Sequence, residues 1–154
     1  MTTQTTETTA TAQAPQADQP AQSGTARYDR GIELLTNAYG AEATEQTVAY
    51  LDTLSPDYSR YLVEACFGDV YGREAIDQRR REVVNVIALT SLGGLDGQLE
   101  RHLEAALSLG TSPREIVETM FHLSLIVGHP RANAALAVAK QVFDRLGLDP
   151  VKAA

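Results

Sequence analysis

The sequence predicts an all-α protein with a single domain of about six to seven helices. Three observations support this prediction. Apolar residues recur three or four positions apart through most of the chain, as they do on one face of a helix. Proline and glycine interrupt these stretches at intervals typical of helix starts and ends. Alternating apolar stretches joined by a tight turn, the pattern of a β-hairpin, are not found in the sequence.

The helix starts and ends follow from local residue types. Ser55-Pro56 and Ser112-Pro113 each place an N-capping serine before a proline at the first helical position. Asp77 is expected to cap a helix that is apolar on most faces and should therefore lie centrally. Gly68 is expected to break the third helix. The predicted helices are residues 27–39, 44–54, 56–67, 77–93, 95–109, 113–127 and 131–146.

The two ends of the chain differ in composition from its middle. Residues 1–26 are almost all Thr, Gln, Ala and Pro, so they are expected to form a disordered tail. They lack the basic and apolar regions of a secretory signal and the arginines of a transit peptide. Residues 27–148 form the predicted helical domain, and residues 149–154 form a short C-terminal tail.

Charge and cysteine content exclude several classes of function. The formal net charge is −7, which argues against nucleic acid because phosphate binding needs a basic face. No apolar stretch approaches the roughly 20 residues that span a bilayer, so no membrane association is expected. Cys66 is the only cysteine, which rules out an internal disulfide and favours a cytoplasmic protein.

Three segments of the chain resemble one protein family. Residues 66–73, C-F-G-D-V-Y-G-R, are similar to the segment C-W-G-E-V-W-x-R of the carboxymuconolactone decarboxylases. Residues 79–89 are similar to the basic start of the long helix in those proteins. Residues 99–116 fit the pattern L-x-x-H followed by G-x-[ST]-x-x-E-I, which is shared by the alkylhydroperoxidase D-like superfamily. The resemblance covers residues 28–146 and implies an alkylhydroperoxidase D-like helical bundle.

The resemblance also implies an activity and an assembly. Family members decarboxylate a small cyclic acid or lactone without a metal or organic cofactor, and they form homo-oligomers, commonly trimers or hexamers. Redox members of the superfamily carry C-x-x-C-x-x-x-H, whereas Leu95 and Gln98 stand at the two cysteine positions here. A dithiol peroxidase cycle is therefore excluded. Ile126 and Val127 replace an aromatic residue and a cysteine, so the substrate pocket is expected to be altered.

Three residues are candidates for catalysis. His102 is the candidate proton donor, because an imidazole titrates near neutral pH and the superfamily pattern places its histidine here. Glu82 resembles the glutamate of the proton relay in the redox branch and could orient or reprotonate His102. Arg81 could bind a substrate carboxylate through two parallel hydrogen bonds. The alternatives are a histidine satisfied in a helix interface, a solvated first-turn acid and a solvated arginine.

Four further residues are expected to contact the substrate. Arg79 belongs to the same basic run, and Tyr71 is expected in the pocket wall. His122 follows Glu118 by one helical turn, and His129 lies in a Gly-His-Pro break where a loop residue could face the pocket. No two histidines have the spacing H-x-x-x-H, so no metal site is expected.

Three functions remain open. The leading one is acid–base decarboxylation of a small carboxylic acid or lactone, in a catabolic or a biosynthetic pathway. The second is isomerisation, cyclisation or another proton transfer on a specialised metabolite, which the altered residues 126–129 favour. The third is a non-catalytic oligomer that binds a small ligand, and a pocket lined only by apolar groups would support it.

Overall fold

Seven α-helices and one π-helical segment make up most of residues 24–152, the part of the chain that this computed structural model describes. The helices are α1 Gly24–Tyr39, α2 Ala41–Leu54, α3 Pro56–Tyr61, α4 Gln78–Leu92, α5 Asp96–Ser108, α6 Pro113–Val127 and α7 His129–Leu146, and the π-helical segment is Leu62–Tyr71. No strand occurs within residues 24–152, so the all-α prediction is confirmed. The tail predicted for residues 1–26 falls mainly on residues 1–23, which lie outside the described residues, while residues 24–26 begin α1.

The helix ends follow the local chemistry that the sequence indicates. The side chains of Ser55 and Asp77 accept hydrogen bonds from backbone N–H groups at the starts of α3 and α4. Ser112 and Glu115 form a reciprocal capping box at the start of α6, with 2.7 Å between Ser112 N and Glu115 Oε2. Gly147 ends α7 in the left-handed conformation, which glycine adopts without steric cost.

The predicted helix break at Gly68 is wrong. The chain passes from α3 into the π-helical segment, whose last turn is closed by a 3.1 Å hydrogen bond from Gly72 N to the carbonyl oxygen of Phe67. Gly68 is buried, and a Cβ there would lie 2.6 Å from the carbonyl oxygen of Arg27 in α1. This glycine therefore permits close packing of two helices. π-Helical turns are often found at functional sites.

The apolar core lies between α4, α5, α6 and α7. Its buried residues are Val86, Leu99, Leu103, Ile116, Met120, Ala135, Val138, Ala139, Val142 and Phe143. Each large side chain in it contributes about 1.5–3 kcal/mol of burial free energy. α4 contacts α5, α6 and α7, and the side chains that it buries form one stripe containing Glu82, Val86 and Thr90. Val84, on another face, is 56% exposed.

Contacts of α1 with its neighbours position the end of that helix near α5. Gly31 of α1 lies so close to the backbone of Val63 that no side chain would fit between them. Ser108 Oγ at the end of α5 donates a hydrogen bond of 3.1 Å to the carbonyl oxygen of Ala38. Tyr39, the last residue of α1, is thereby held beside α5. No helix within residues 24–152 is long and apolar enough to cross a membrane.

Candidate active site

Helices α4 and α5 bring Glu82 and His102 into direct contact. Oε2 of Glu82 and Nδ1 of His102 are 2.6 Å apart. The Glu82 side chain is completely buried, whereas 20% of the His102 side chain is exposed. A buried carboxylate needs hydrogen-bond donors, and a His102 ring protonated at Nδ1 would provide one while part of the side chain remains accessible. The two residues assigned to proton transfer from the sequence are therefore neighbours.

Tyr71 and Asn85 complete one side of the Glu82 carboxylate. Tyr71 Oη donates to Oε1 of Glu82 at 2.8 Å, and Asn85 Nδ2 donates to Tyr71 Oη at 2.6 Å. Asn85 Nδ2 also lies 3.3 Å from His102 Nδ1. Glu82 and Asn85 are three positions apart on α4, which places them on the same side of the helix. The hydrogen bonds form a chain whose members polarise one another.

Tyr39 of α1 contacts the same pair. Its Oη lies 3.0 Å from His102 Nδ1 and 3.5 Å from Glu82 Oε2. Burial raises the pKa of Tyr39 and of Tyr71 above the ordinary tyrosine value, and the charge of Glu82 adds to both increases. Both hydroxyl groups therefore keep their protons at neutral pH. We call Tyr39, Tyr71, Glu82, Asn85 and His102 the polar cluster.

Aromatic rings pack around the polar cluster. Phe67 contacts Tyr39 edge-on, with 6.2 Å between ring centroids, and lies 4.7 Å from the ring of Tyr71. The rings of Tyr39 and His102 also meet edge-on, at 6.0 Å. The ring of Tyr71 is thus part of an aromatic cluster. Its hydroxyl, however, is used by Glu82 and Asn85.

Arg81 lies next to the polar cluster. Its guanidinium carbon is 5.8 Å from the centroid of the Tyr71 ring. Arg81 Nε and Nη2 donate to the carbonyl oxygens of Ile76 and Arg73 at 3.0 and 2.9 Å. No acidic side chain within residues 24–152 forms an ion pair with Arg81. This guanidinium therefore retains a positive charge that an anionic ligand could neutralise.

Arg79 and His122 lie elsewhere. They line a groove of about 950 Å³ between α4 and α6, which we call the apolar groove. Its other lining residues are Ile76, Arg80, Val83, Val84, Ile87, Thr111, Glu115, Glu118, Thr119, Leu123 and Ile126. Arg79 is paired with Glu115, with 3.3 Å between Nη1 and Oε1. An α-helix turns about 100° per residue, so Arg79 and Val83 face a different direction from Asn85.

His129 is the exposed first residue of α7. The next two residues, Pro130 and Arg131, line a second cavity of about 470 Å³ near the end of α4. Neither this cavity nor the apolar groove is lined by a member of the polar cluster. The structure therefore brings together His102, Glu82 and Tyr71, with Arg81 beside them.

Tyr39 and Asn85 are site residues that the sequence reasoning missed. Asn85 is the only amide within the apolar part of α4, three positions after Glu82, and this spacing was a usable signal. Tyr39 gave no comparable signal. It is 43 residues from Glu82 and 63 from His102, and only helix packing brings them together.

The fold and site define a class of all-α proteins in which a buried glutamate contacts a partly exposed imidazole. The chain belongs to the carboxymuconolactone decarboxylase family, whose sequence profile matches residues 56–141. This confirms the family that the sequence motifs indicate. The matched range includes Tyr71, Glu82, Asn85 and His102, whereas Tyr39 lies before it.

Two relatives illustrate the similarity. A 4-carboxymuconolactone decarboxylase from Acinetobacter baylyi (strain ATCC 33305 / BD413 / ADP1) is 31% identical over 126 residues, which cover 82% of this chain and 93% of the relative. An uncharacterized 15.0 kDa protein in the nqo9-nqo10 intergenic region of Paracoccus denitrificans is 33% identical over 94 residues. Those residues cover 60% of this chain and 70% of the relative. Family membership and the first relative support a decarboxylase-type function.

Proposed function

We propose that this protein is a cofactor-independent decarboxylase of the 4-carboxymuconolactone type, acting on a small cyclic acid or lactone. The observation that carries the proposal is the 2.6 Å contact between the buried Glu82 carboxylate and the partly exposed His102 ring. Decarboxylation needs one well-placed proton donor and a group that binds the charged substrate. His102 supplies the first, and the unpaired guanidinium of Arg81 supplies the second.

The hydrogen bonds give the two ring nitrogens of His102 different tasks. Nδ1 faces the Glu82 carboxylate and carries the proton of that hydrogen bond. Nε2 has no hydrogen-bond partner within residues 24–152, so it is the nitrogen that can reach a substrate. When Nε2 is also protonated, the negative Glu82 balances the positive imidazolium, which makes a charged ring tolerable in a partly buried site.

The reaction then needs a single proton transfer from the protein. Arg81 binds a substrate carboxylate or carbonyl oxygen while the bond from carbon to the departing carboxylate breaks. CO2 leaves, and the electron pair enters the conjugated carbonyl system as an enolate. Nε2 of His102 donates its proton to carbon, forming the new C–H bond and leaving a neutral ring with a proton on Nδ1. A proton from solvent restores Nε2 before the next turnover.

The test is CO2 release from γ-carboxymuconolactone, followed together with the loss of its ultraviolet absorbance. We expect turnover by the wild-type protein and a kcat lower by about 10²–10⁴-fold in His102→Gln, the usual contribution of general acid catalysis. His122→Gln and His129→Gln remove imidazoles outside the polar cluster and are expected to lower kcat much less. A folded His102→Gln variant with the same kcat as the wild-type protein would contradict the proposal.

An isomerisation, cyclisation or other proton transfer on a specialised metabolite is the second candidate. The same His102–Glu82 pair could perform it, because proton delivery to an enolate does not depend on how the enolate arose. Ile126 and Val127, which replace an aromatic residue and a cysteine typical of decarboxylases, favour this alternative. A folded wild-type protein that leaves γ-carboxymuconolactone unchanged would move this candidate to first place. A non-catalytic binding protein is less well supported, since the polar cluster holds a buried glutamate side chain against a partly exposed imidazole.

The proposed enzyme is a homo-oligomer, a trimer or a hexamer, in which the apolar groove packs against another copy. Two apolar residues that line the groove support this, because Val84 and Ile126 are 56% and 75% exposed. Phe121 and Leu125 of α6, which lie outside the groove lining, are a further exposed pair, at 67% and 74%. Exposed apolar patches of this kind are typical of protein–protein interfaces. Val84→Glu in the groove is expected to yield monomers in analytical ultracentrifugation, whereas Val151→Glu, at a residue 88% exposed near the end of the chain, should leave the assembly intact. A wild-type monomer at micromolar concentration would refute the oligomer.

A further inference from the structure

The polar cluster contains two tyrosine hydroxyls whose role goes beyond the proposed glutamate–histidine chemistry, on which the following inference rests. We propose that Tyr39 and Tyr71 are positioning residues that hold Oε2 of Glu82 against Nδ1 of His102, and so leave Nε2 as the reacting nitrogen. Neither hydroxyl needs to touch the substrate for this role. Each comes from a different part of the fold, Tyr39 from the end of α1 and Tyr71 from the end of the π-helical segment.

A count of donors and acceptors supports this assignment. Tyr71 Oη receives a hydrogen bond from Asn85, so its own proton is free to go to Oε1 of Glu82 at 2.8 Å. That bond fixes one carboxylate oxygen and directs the other, Oε2, to His102. Without it, the carboxyl group could rotate and turn its oxygens away from Nδ1 of His102.

Tyr39 acts on the other carboxylate oxygen. Nδ1 of His102 has three neighbours: Glu82 Oε2 at 2.6 Å, Tyr39 Oη at 3.0 Å and Asn85 Nδ2 at 3.3 Å. A bare Nδ1 has one lone pair and could accept from only one of them. The single proton of a protonated Nδ1 goes to Oε2, the nearer acceptor at 2.6 Å, and Tyr39 Oη, 3.0 Å from Nδ1, directs its own proton to Oε2 at 3.5 Å. With Glu82 ionised, this arrangement gives the carboxylate a proton from Tyr71 at Oε1 and protons from His102 and Tyr39 at Oε2.

The raised pKa of both tyrosines is consistent with this role, because each hydroxyl stays a donor across the neutral range. The geometry also explains why two separate elements pack so closely near the site. Gly31 and Gly68 allow α1 and the π-helical segment to approach, and these are the elements that carry Tyr39 and Tyr71. Removal of the hydrogen-bond partners that orient metal-binding histidines changes affinity or activity by about 10–100-fold, and we expect an effect of the same order for His102.

The experiment is ¹⁵N NMR of the full-length protein labelled at histidine, in which protonated and bare ring nitrogens have different shifts. His102→Gln identifies the His102 signals among those of the three histidines. We expect wild-type His102 to carry its proton on Nδ1, and Tyr71→Phe and the double variant Tyr39→Phe/Tyr71→Phe to shift the population towards a proton on Nε2. Tyr50→Phe, which removes a hydroxyl from a side chain 63% exposed on α2, is the matched control.

Kinetics provide the second measurement. With a substrate that the wild-type protein turns over, each single Tyr→Phe variant should lower kcat by about 10-fold and leave KM within about twofold, because the substrate is still bound. Wild-type tautomer signals in the double variant would overturn the inference, as would a rise in KM at constant kcat. The NMR result does not need a substrate. An inactive wild type with the expected tautomers would therefore refute the decarboxylase and leave the positioning role intact.

Discussion

On each of two faces of α4, one side chain has a degree of burial that is unusual for its residue type. One face buries Glu82 completely, although a carboxylate is costly to remove from water, and the other leaves Val84 56% exposed, although valine is usually buried. The buried carboxylate is accounted for by the hydrogen bonds of the polar cluster. The exposed valine is accounted for by the proposed contact with another copy.

In the proposed enzyme, α4 serves catalysis on one face and assembly on another. On the polar face, Glu82 is held by hydrogen bonds to particular atoms of its neighbours. The position and protonation of each of these neighbours therefore matter. On the groove face, the apolar residues need only a surface of matching shape, and Arg79 is held by Glu115 at the rim. Substitutions of the same type on the two faces should therefore have different consequences.

The largest expected difference comes from replacing a glutamate on each side. Glu82→Gln removes the negative charge that balances the His102 imidazolium, so kcat should fall by about 10²–10³-fold with the fold retained. Glu115→Gln keeps the reciprocal capping box of α6, because glutamine is accepted at that position. It should leave kcat unchanged and shift the thermal midpoint only slightly. If the two substitutions changed kcat equally, the polar face and the groove face would not differ in their importance for catalysis.

The arginines of the basic run provide the next test. Arg81→Gln is expected to raise KM by about 10-fold, because a charge-assisted hydrogen bond to the substrate contributes about 1.5–3 kcal/mol. Arg80→Gln is the control, since Arg80 is an exposed residue paired with Asp77. Arg79→Gln tests the prediction from the sequence that Arg79 binds the substrate. A KM increase as large as that of Arg81→Gln would mean that the apolar groove belongs to the substrate site.

The smallest expected effect is the dependence of stability on pH. In the polar cluster, Tyr39 and Tyr71 have a raised pKa in the folded protein, mainly because of burial. Their contribution to stability is therefore complete below the unfolded value of about 10 and decreases as the pH rises above it. Urea unfolding should show this alkaline loss in wild type and a weaker loss in Tyr39→Phe/Tyr71→Phe. If the free energy of unfolding of the double variant decreased as steeply with alkaline pH as that of the wild type, the two hydroxyls would not be buried.

On the groove side, the contribution of Glu115 to stability should change at acidic pH rather than at alkaline pH. Hydrogen bonds from Ser112 lower the pKa of Glu115, and Arg79 adds a smaller effect in the same direction. Stability from this group is therefore present above the unfolded glutamate value of about 4.3 and decreases as the pH falls below it. Urea unfolding of Glu115→Gln, which removes the titrating carboxyl group, should show a weaker acid dependence than wild type. The same acid dependence in both proteins would contradict the hydrogen bonds at the α6 start.

The sequence was a reliable guide where structure depends on neighbouring residues. Ser55, Asp77 and Ser112 cap helices as expected, because a capping side chain bonds to backbone only a few positions away. It was misleading at Gly68, where the usual reading of glycine as a helix breaker failed. There the missing side chain makes room for α1, a contact between residues 41 positions apart that local patterns do not encode.

For the site, the sequence by itself determined the residue types that can perform the chemistry. His102, Glu82 and Arg81 could be singled out because their side chains have the required charge and proton affinity, and because their spacing fits a known family pattern. Only the tertiary structure decided which of the candidates meet. Tyr39 joins the polar cluster and Arg79 and His122 do not, because the packing of α1, the π-helical segment, α4 and α5 places side chains from distant positions within hydrogen-bond distance.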